Sequence, residues 1–261
     1  MILIFVIVIA GSERTILMDN AVTGLPAGSP VPTDCSNTEE SPVMEGIQVA
    51  QEFTERVTID VHARYLLYLP EGYGREGAIW PLVLFLHGSG ERGTDLEIVK
   101  RHGPPGLVVA GKKFPFILVS PQCPEDENWS VAVLKYLLDG ILERYSVDRS
   151  RMYLTGLSRG GFGTWNMAIA YPDLFAAIAP ICGWGDPGKV SVLKNVPAWV
   201  FHGMKDPVIA FERGESMVKA LKAAGGNVRF TAYPESEHDC WTETYQNPEL
   251  YVWMLKQRKK E

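Results

Sequence analysis

Ser158 stands in Gly156-Leu157-Ser158-Arg159-Gly160-Gly161, after the apolar run RMYLT and before the helical pattern GGFGTWNMAIAYP. A GxSxG pattern in that context places a hydroxyl at a sharp strand-to-helix turn, where small residues on either side let neighbouring backbone cross without a Cβ clash. A serine hydroxyl is a poor nucleophile at neutral pH. Attack on a carbonyl carbon therefore requires a histidine base within hydrogen-bond reach and a carboxylate to orient that histidine. It also requires backbone N–H groups aimed at the oxyanion that forms. The turn Leu86-His87-Gly88-Ser89-Gly90-Glu91-Arg92-Gly93, at the end of the apolar run PLVLF, meets that last need. The expected donors are the N–H of Ser89, or of its neighbours Gly88 or Gly90, and the N–H of Arg159 at the start of the following helix.

Chain order places the carboxylate and the histidine downstream, each in a loop after a strand. Asp206, in FHGMKDPVI, meets the first condition and His238, in PESEHDCW, the second. Asp186 falls one strand early, Glu212 falls in a predicted helix, and Asp239 lies beside His238, where adjacent loop side chains diverge. Of the 5 histidines only His238 follows the last predicted strand; His62 lies in the first predicted hairpin, His102 precedes a Pro-Pro loop, and His87 and His202 open Gly turns. Trp129, Trp184 and Trp241 each fall in a predicted loop after a strand and are candidates to line a substrate pocket, with core packing as the alternative. Trp165 and Trp253 fall inside helical patterns and are expected in the core.

The elements that must hold these residues are legible as an alternation. VTIDVHARYLLYLP reads as a hairpin-like pair of strands, and PLVLFLHG, FPFILVSPQ, RMYLTGLS, FAAIAPICG, PAWVFHG and VRFTAYPE as strands. Helical periodicity runs over Val131–Tyr145, after Ser158, over Phe211–Ala224 and over Pro248–Lys260. Continuous apolar runs belong to strands covered on both faces. The predicted class is α/β, a mostly parallel central sheet with helices on both faces in three layers, forming one domain over residues 44–261. Residues 1–43 are expected to be an N-terminal arm, because Gly11 to Pro42 is rich in Gly, Pro, Ser, Thr and Asn. MILIFVIVIA at its start reads either as the apolar part of an export signal without the basic flank or as a buried strand, which leaves a cytoplasmic or an exported location open.

Composition narrows the function classes. With 46% hydrophobic residues, a formal net charge of −6 and pI near 5.5, the chain builds a globular core and no basic track for nucleic acid. No apolar run reaches the length of a membrane span. Cys35, Cys123, Cys182 and Cys240 have no metal-ligand spacing; one bridge among the last three is allowed. The terminal QRKK run is expected to be a solvated helix end.

From about Val49 to Leu255 the chain resembles an α/β-hydrolase. FLHGSGERG, PQCPEDENW, GLSRGGFGTW, FHGMKDPVI and EHDCWTETY, in that order, resemble bacterial carboxylesterases of the phospholipase/carboxylesterase type, related to feruloyl esterases and polyhydroxybutyrate-depolymerase-like enzymes. The resemblance implies Ser158 as nucleophile, Asp206 as acid, His238 as base and HGSG as the oxyanion turn. It further implies hydrolysis of a small-molecule or polymer-attached ester through an acyl-enzyme, with no metal or organic cofactor. Short-chain or aryl esters are the leading substrates, with cell-wall feruloyl or acetyl-xylan esters as an alternative. A prolyl-oligopeptidase-like peptidase and a non-catalytic binding module are the other readings; the first lacks a propeller insertion, and the second would have lost a member of the triad.

Overall fold

The computed structural model describes residues 60–259, so the arm 1–43, its first ten residues, Cys35 and the start of the expected domain lie outside the described residues. Among the described residues there are seven strands: β1 (Tyr65–Tyr68), β2 (Trp80–Leu86), β3 (Ile117–Pro121), β4 (Val147–Leu157), β5 (Ala177–Ile181), β6 (Ala198–Gly203) and β7 (Val228–Tyr233). They form one sheet in the order β1-β3-β2-β4-β5-β6-β7. Every neighbouring pair is parallel except β1 with β3.

Alternation of side chains along β2 shows why the sheet must be covered twice. Leu82, Leu84 and Leu86 point into one core while Val83 and Phe85 point into the other, and all five are at most 1% exposed. The first core is closed by α2 (Val131–Arg144), α3 (Arg159–Ala170) and α4 (Phe211–Ala223), through residues such as Leu138, Trp165 and Met217. The second is closed by α1 (Gly103–Val109), α5 (Trp241–Gln246) and α6 (Pro248–Lys256), through Leu107, Tyr245 and Leu250. Three layers result, as expected. Among the described residues no helix is long and apolar enough to cross a membrane.

Four local expectations need correction. The hairpin-like pair is, within the described residues, the single strand β1, which pairs antiparallel with β3 in the register Tyr65↔Pro121. Its alternation does not identify its partner; the Tyr68 hydroxyl, which accepts from Phe114 N at 3.0 Å, fixes it beside the entry to β3. The Pro-Pro loop is the first turn of α1, a position where a missing N–H costs nothing. Trp241 opens a short helix rather than lying in a loop. Finally, α6 stops at Lys256 and the chain after it is tied down: Gln257 O accepts from the Tyr153 hydroxyl at 2.9 Å, Lys259 N donates to Ser150 O at 2.9 Å and the Arg258 guanidinium reaches Ser150 Oγ at 3.0 Å.

Candidate active site

Ser158 lies between β4 and α3 with φ 53° and ψ −116°, a left-handed conformation that a residue with a side chain adopts only when its surroundings force it. The forcing contacts are backbone to backbone. A Cβ on Gly160 would stand 1.9 Å from Leu86 O, and one on Gly156 would stand 2.4 Å from Gly160 O. Only glycine lets the first turn of α3 pass so close to the end of β2. Ser158 N donates to Ile181 O at 2.9 Å, which pins the turn to β5. The Arg159 N–H, at the first position of α3, has no acceptor inside the helix.

Around Ser158 the structure brings together the side chains that the sequence singled out. Ser158 Oγ is 2.9 Å from His238 Nε2, and His238 Nδ1 is 2.7 Å from Asp206 Oδ2. Asp206 comes from the loop after β6 and is 8% exposed; its Oδ1 accepts from Val208 N at 2.8 Å and Ile209 N at 2.9 Å. A carboxylate so bonded on one oxygen presents the other to the imidazole. The rival carboxylates serve elsewhere: Asp186 accepts from Gly188 N within its own turn, Asp239 bonds Thr242 at the start of α5, and Glu212 is exposed on α4.

The turn after β2 is held from below. His87 is fully buried; its Nε2 accepts from Cys123 N at 3.0 Å, so Nδ1 carries the proton and donates to Gly88 O at 2.6 Å. Burial pulls its pKa down to about 4, and the ring stays neutral. Glu91 Oε2 accepts from Gly88 N at 3.0 Å. That bond removes Gly88 from the possible oxyanion donors and leaves the N–H groups of Ser89 and Gly90 at the start of the 3-10 turn Ser89–Glu91. Two guanidiniums meet the same turn. Arg159 Nε donates to Ser89 Oγ at 2.9 Å, its Nη1 donates to Asn128 Oδ1, and Arg92 Nε donates to Ser89 O at 3.2 Å.

The tryptophans divide. Trp129 is buried beneath the turn, its Nε1 donating to His87 O at 3.2 Å and its ring set edge-on to His87 at 4.7 Å, which is the core-packing alternative for this residue. Trp241 stands edge-on to His238 at 5.2 Å, and Trp184, half-buried, stacks on Phe162 of α3 at 4.8 Å. Trp165 is buried as expected, and Trp253, half-buried, packs edge-on to Trp199. Cys123, Cys182 and Cys240 are free thiols, and burial pushes those of Cys123 and Cys182 up.

Three residues at the site have no part in its chemistry that the sequence alone reveals. Glu91 is three residues after Gly88, a spacing that marks a carboxylate folding back on a turn. Cys182, with φ 39°, lies beneath Ser158, whose N–H points at its sulfur from 3.3 Å. His202 lies against Asp206, with Nε2 3.3 Å from Oδ2.

The phospholipase/carboxylesterase family profile matches residues 114–251, just over half of the chain. A poly(3-hydroxyalkanoate) depolymerase of Paucimonas lemoignei is 33% identical over 120 residues, which are 40% of this chain and 28% of that protein. The chain therefore spans under a third of that relative's length. A probable carboxylesterase of Arabidopsis thaliana is 25% identical over 217 residues, 70% of this chain and 81% of that one. Among solved structures, a thermostable esterase superposes with a TM-score of 0.65 and 35% identity, covering 74% of this chain and 59% of the other.

Proposed function

Starting from the chain's membership of the phospholipase/carboxylesterase family, and hence from a carboxylic ester hydrolase on an α/β-hydrolase fold, we propose that Ser158, His238 and Asp206 are its catalytic triad. The observation that carries the proposal is the unbroken relay from Ser158 Oγ through both imidazole nitrogens to Asp206 Oδ2, at 2.9 and 2.7 Å, built on a strained nucleophile turn. His238 takes the Ser158 proton as Oγ attacks the ester carbonyl. The N–H groups of Arg159 and Ser89 receive the oxyanion, and His238 returns the proton to the departing alcohol. Water, activated by the same histidine, then attacks the acyl-enzyme and frees Ser158.

Short-chain or aryl carboxylic esters are the proposed substrates. The segment between β5 and β6 is short and its one helical element is the 3-10 turn Val190–Leu193. Ser89 is exposed, as are Met204 and Val208, which flank Asp206 at 51% and 63% exposure. This openness also favours a second reading, an ester carried on a polymer such as feruloyl or acetyl-xylan. Trp184 and Trp241 are proposed to flank the substrate, and Trp129 to position the oxyanion turn from beneath.

Initial rates on p-nitrophenyl esters from acetate to palmitate, run beside methyl ferulate and a prolyl amide, test the substrate. A maximum at the short chains is expected. Dominant ferulate turnover would move the assignment to a cell-wall esterase, and dominant amide cleavage would overturn the esterase reading.

A further inference from the structure

His202 closes β6, is fully buried and takes no part in the proton relay, yet its side chain lies against the triad acid. Its hydrogen bonding settles its tautomer. Nε2 is 2.9 Å from Ile209 O, and a carbonyl oxygen only accepts, so Nε2 carries the proton. Nδ1 is buried with no hydrogen-bond partner among the described residues, and it faces Gly214 of α4 so closely that a Cβ there would come within 2.4 Å of it. A second proton on Nδ1 would be a buried charge with no acceptor. Burial accordingly pulls the His202 pKa below the usual histidine value. The same Nε2 lies 3.3 Å from Asp206 Oδ2, the oxygen that His238 uses.

We propose that His202 is a positioning residue for the triad acid, its Nε2–H bridging Ile209 O and Asp206 Oδ2 so that the loop from Gly203 to Ile209 holds the carboxylate in line with His238. The inference rests on Asp206 being that acid. With Val208 N and Ile209 N on Oδ1, the His202 donor completes a set that spreads the negative charge of the carboxylate over four N–H groups, including that of His238. A carboxylate so satisfied raises the basicity of His238 less than a bare one would. Besides Asp206, the ionisable group that acts on His202 is His238, whose charge further disfavours a second proton there. Its sheet neighbour on β7 is Ala232, α4 offers it Gly214 and the Phe211 ring, Glu212 and Arg213 are exposed, and Glu215 pairs with Lys219; Cys182 reaches Asp206 as a protonated thiol.

The test compares His202→Leu, which removes the donor, with His202→Gln, whose amide nitrogen can occupy the place of Nε2. The Leu variant is expected to lower kcat/KM about tenfold, mainly through kcat, and to move the acid limb of its pH profile up by about half a unit. The Gln variant is expected to restore both in large part. Nitrogen NMR of the unmodified protein gives an answer that needs neither activity nor a folded variant: His202 should be the Nε2–H tautomer, without a second proton, from pH 8 to 7. A proton on Nδ1 in that range, or a folded Leu variant with an unmoved acid limb, would overturn the inference. Turnover surviving in Ser158→Ala would instead overturn the reading of the site and leave the tautomer result standing.

Discussion

At the scale of single residues, the proposed chemistry depends on few atoms. Ser158→Ala and His238→Ala are each expected to lower kcat by about a thousandfold or more, with binding little changed, as steady-state kinetics on a p-nitrophenyl ester would show. Glu91→Gln is the more informative change, because an amide retains an oxygen that can accept from Gly88 N but not the charge. A loss near threefold in kcat for Gln and about tenfold or more for Ala, with KM held, would place Glu91 in the support of the oxyanion turn. The candidate triad is legible in the sequence because strand ends and chain order confine it to a few positions. The residues beneath it are less so. His202 reads as the opening of a Gly turn, and nothing in FHGMKD tells that its ring folds back on Asp206; that contact exists only once the loop to Ile209 has closed over it.

At the scale of elements, the crossing of β2, β4 and α3 sets the position of Ser158. Gly160→Ala puts a methyl group 1.9 Å from Leu86 O, where a backbone atom must move, and is expected to destabilise the protein by about 3 kcal/mol and to abolish activity. Gly140, on α2, has nothing within 4 Å of the place a methyl group would take, so Gly140→Ala should be neutral or slightly stabilising in chemical unfolding. The central parallel strands are readable because both faces of each are buried and the runs are uniformly apolar. Strand β1 and the helices α1 and α5 are not, since their form is decided by partners and caps that no local pattern announces. β1 pairs with β3 across the whole of β2 and α1, α1 starts where two prolines replace unneeded donors, and α5 starts where Asp239 caps Thr242 N.

At the scale of the molecule, the buried histidines couple stability to pH. His87 binds a proton near 6.5 in the unfolded chain but only at about 4 in the folded one. Between those values the unfolded state holds the extra proton, so stability is present above pH 6.5 and is lost as pH falls toward 4, by about 3 kcal/mol from this residue. His202 acts in the same direction. Asp148 adds a later loss: burial would raise its pKa, but its bonds to Ser150 and Arg151 outweigh that and hold it at about 2, so this stability goes only as pH falls below 3.8. Denaturant titrations at pH 7, 5.5 and 4.5 should show the decline, and replacing His87 with a residue that does not titrate in this range should flatten it. Failure of the slope to change in such a variant would mean that other groups set the acid sensitivity.

The most direct test of the central claim is to treat the protein with a fluorophosphonate and map the adduct by peptide mass spectrometry, with His238→Ala and Ser158→Ala in parallel. One adduct on Ser158, slowed strongly without His238 and absent without Ser158, is the predicted result. A folded protein that stays unlabelled, or one labelled at another serine while Ser158→Ala retains turnover, would contradict it.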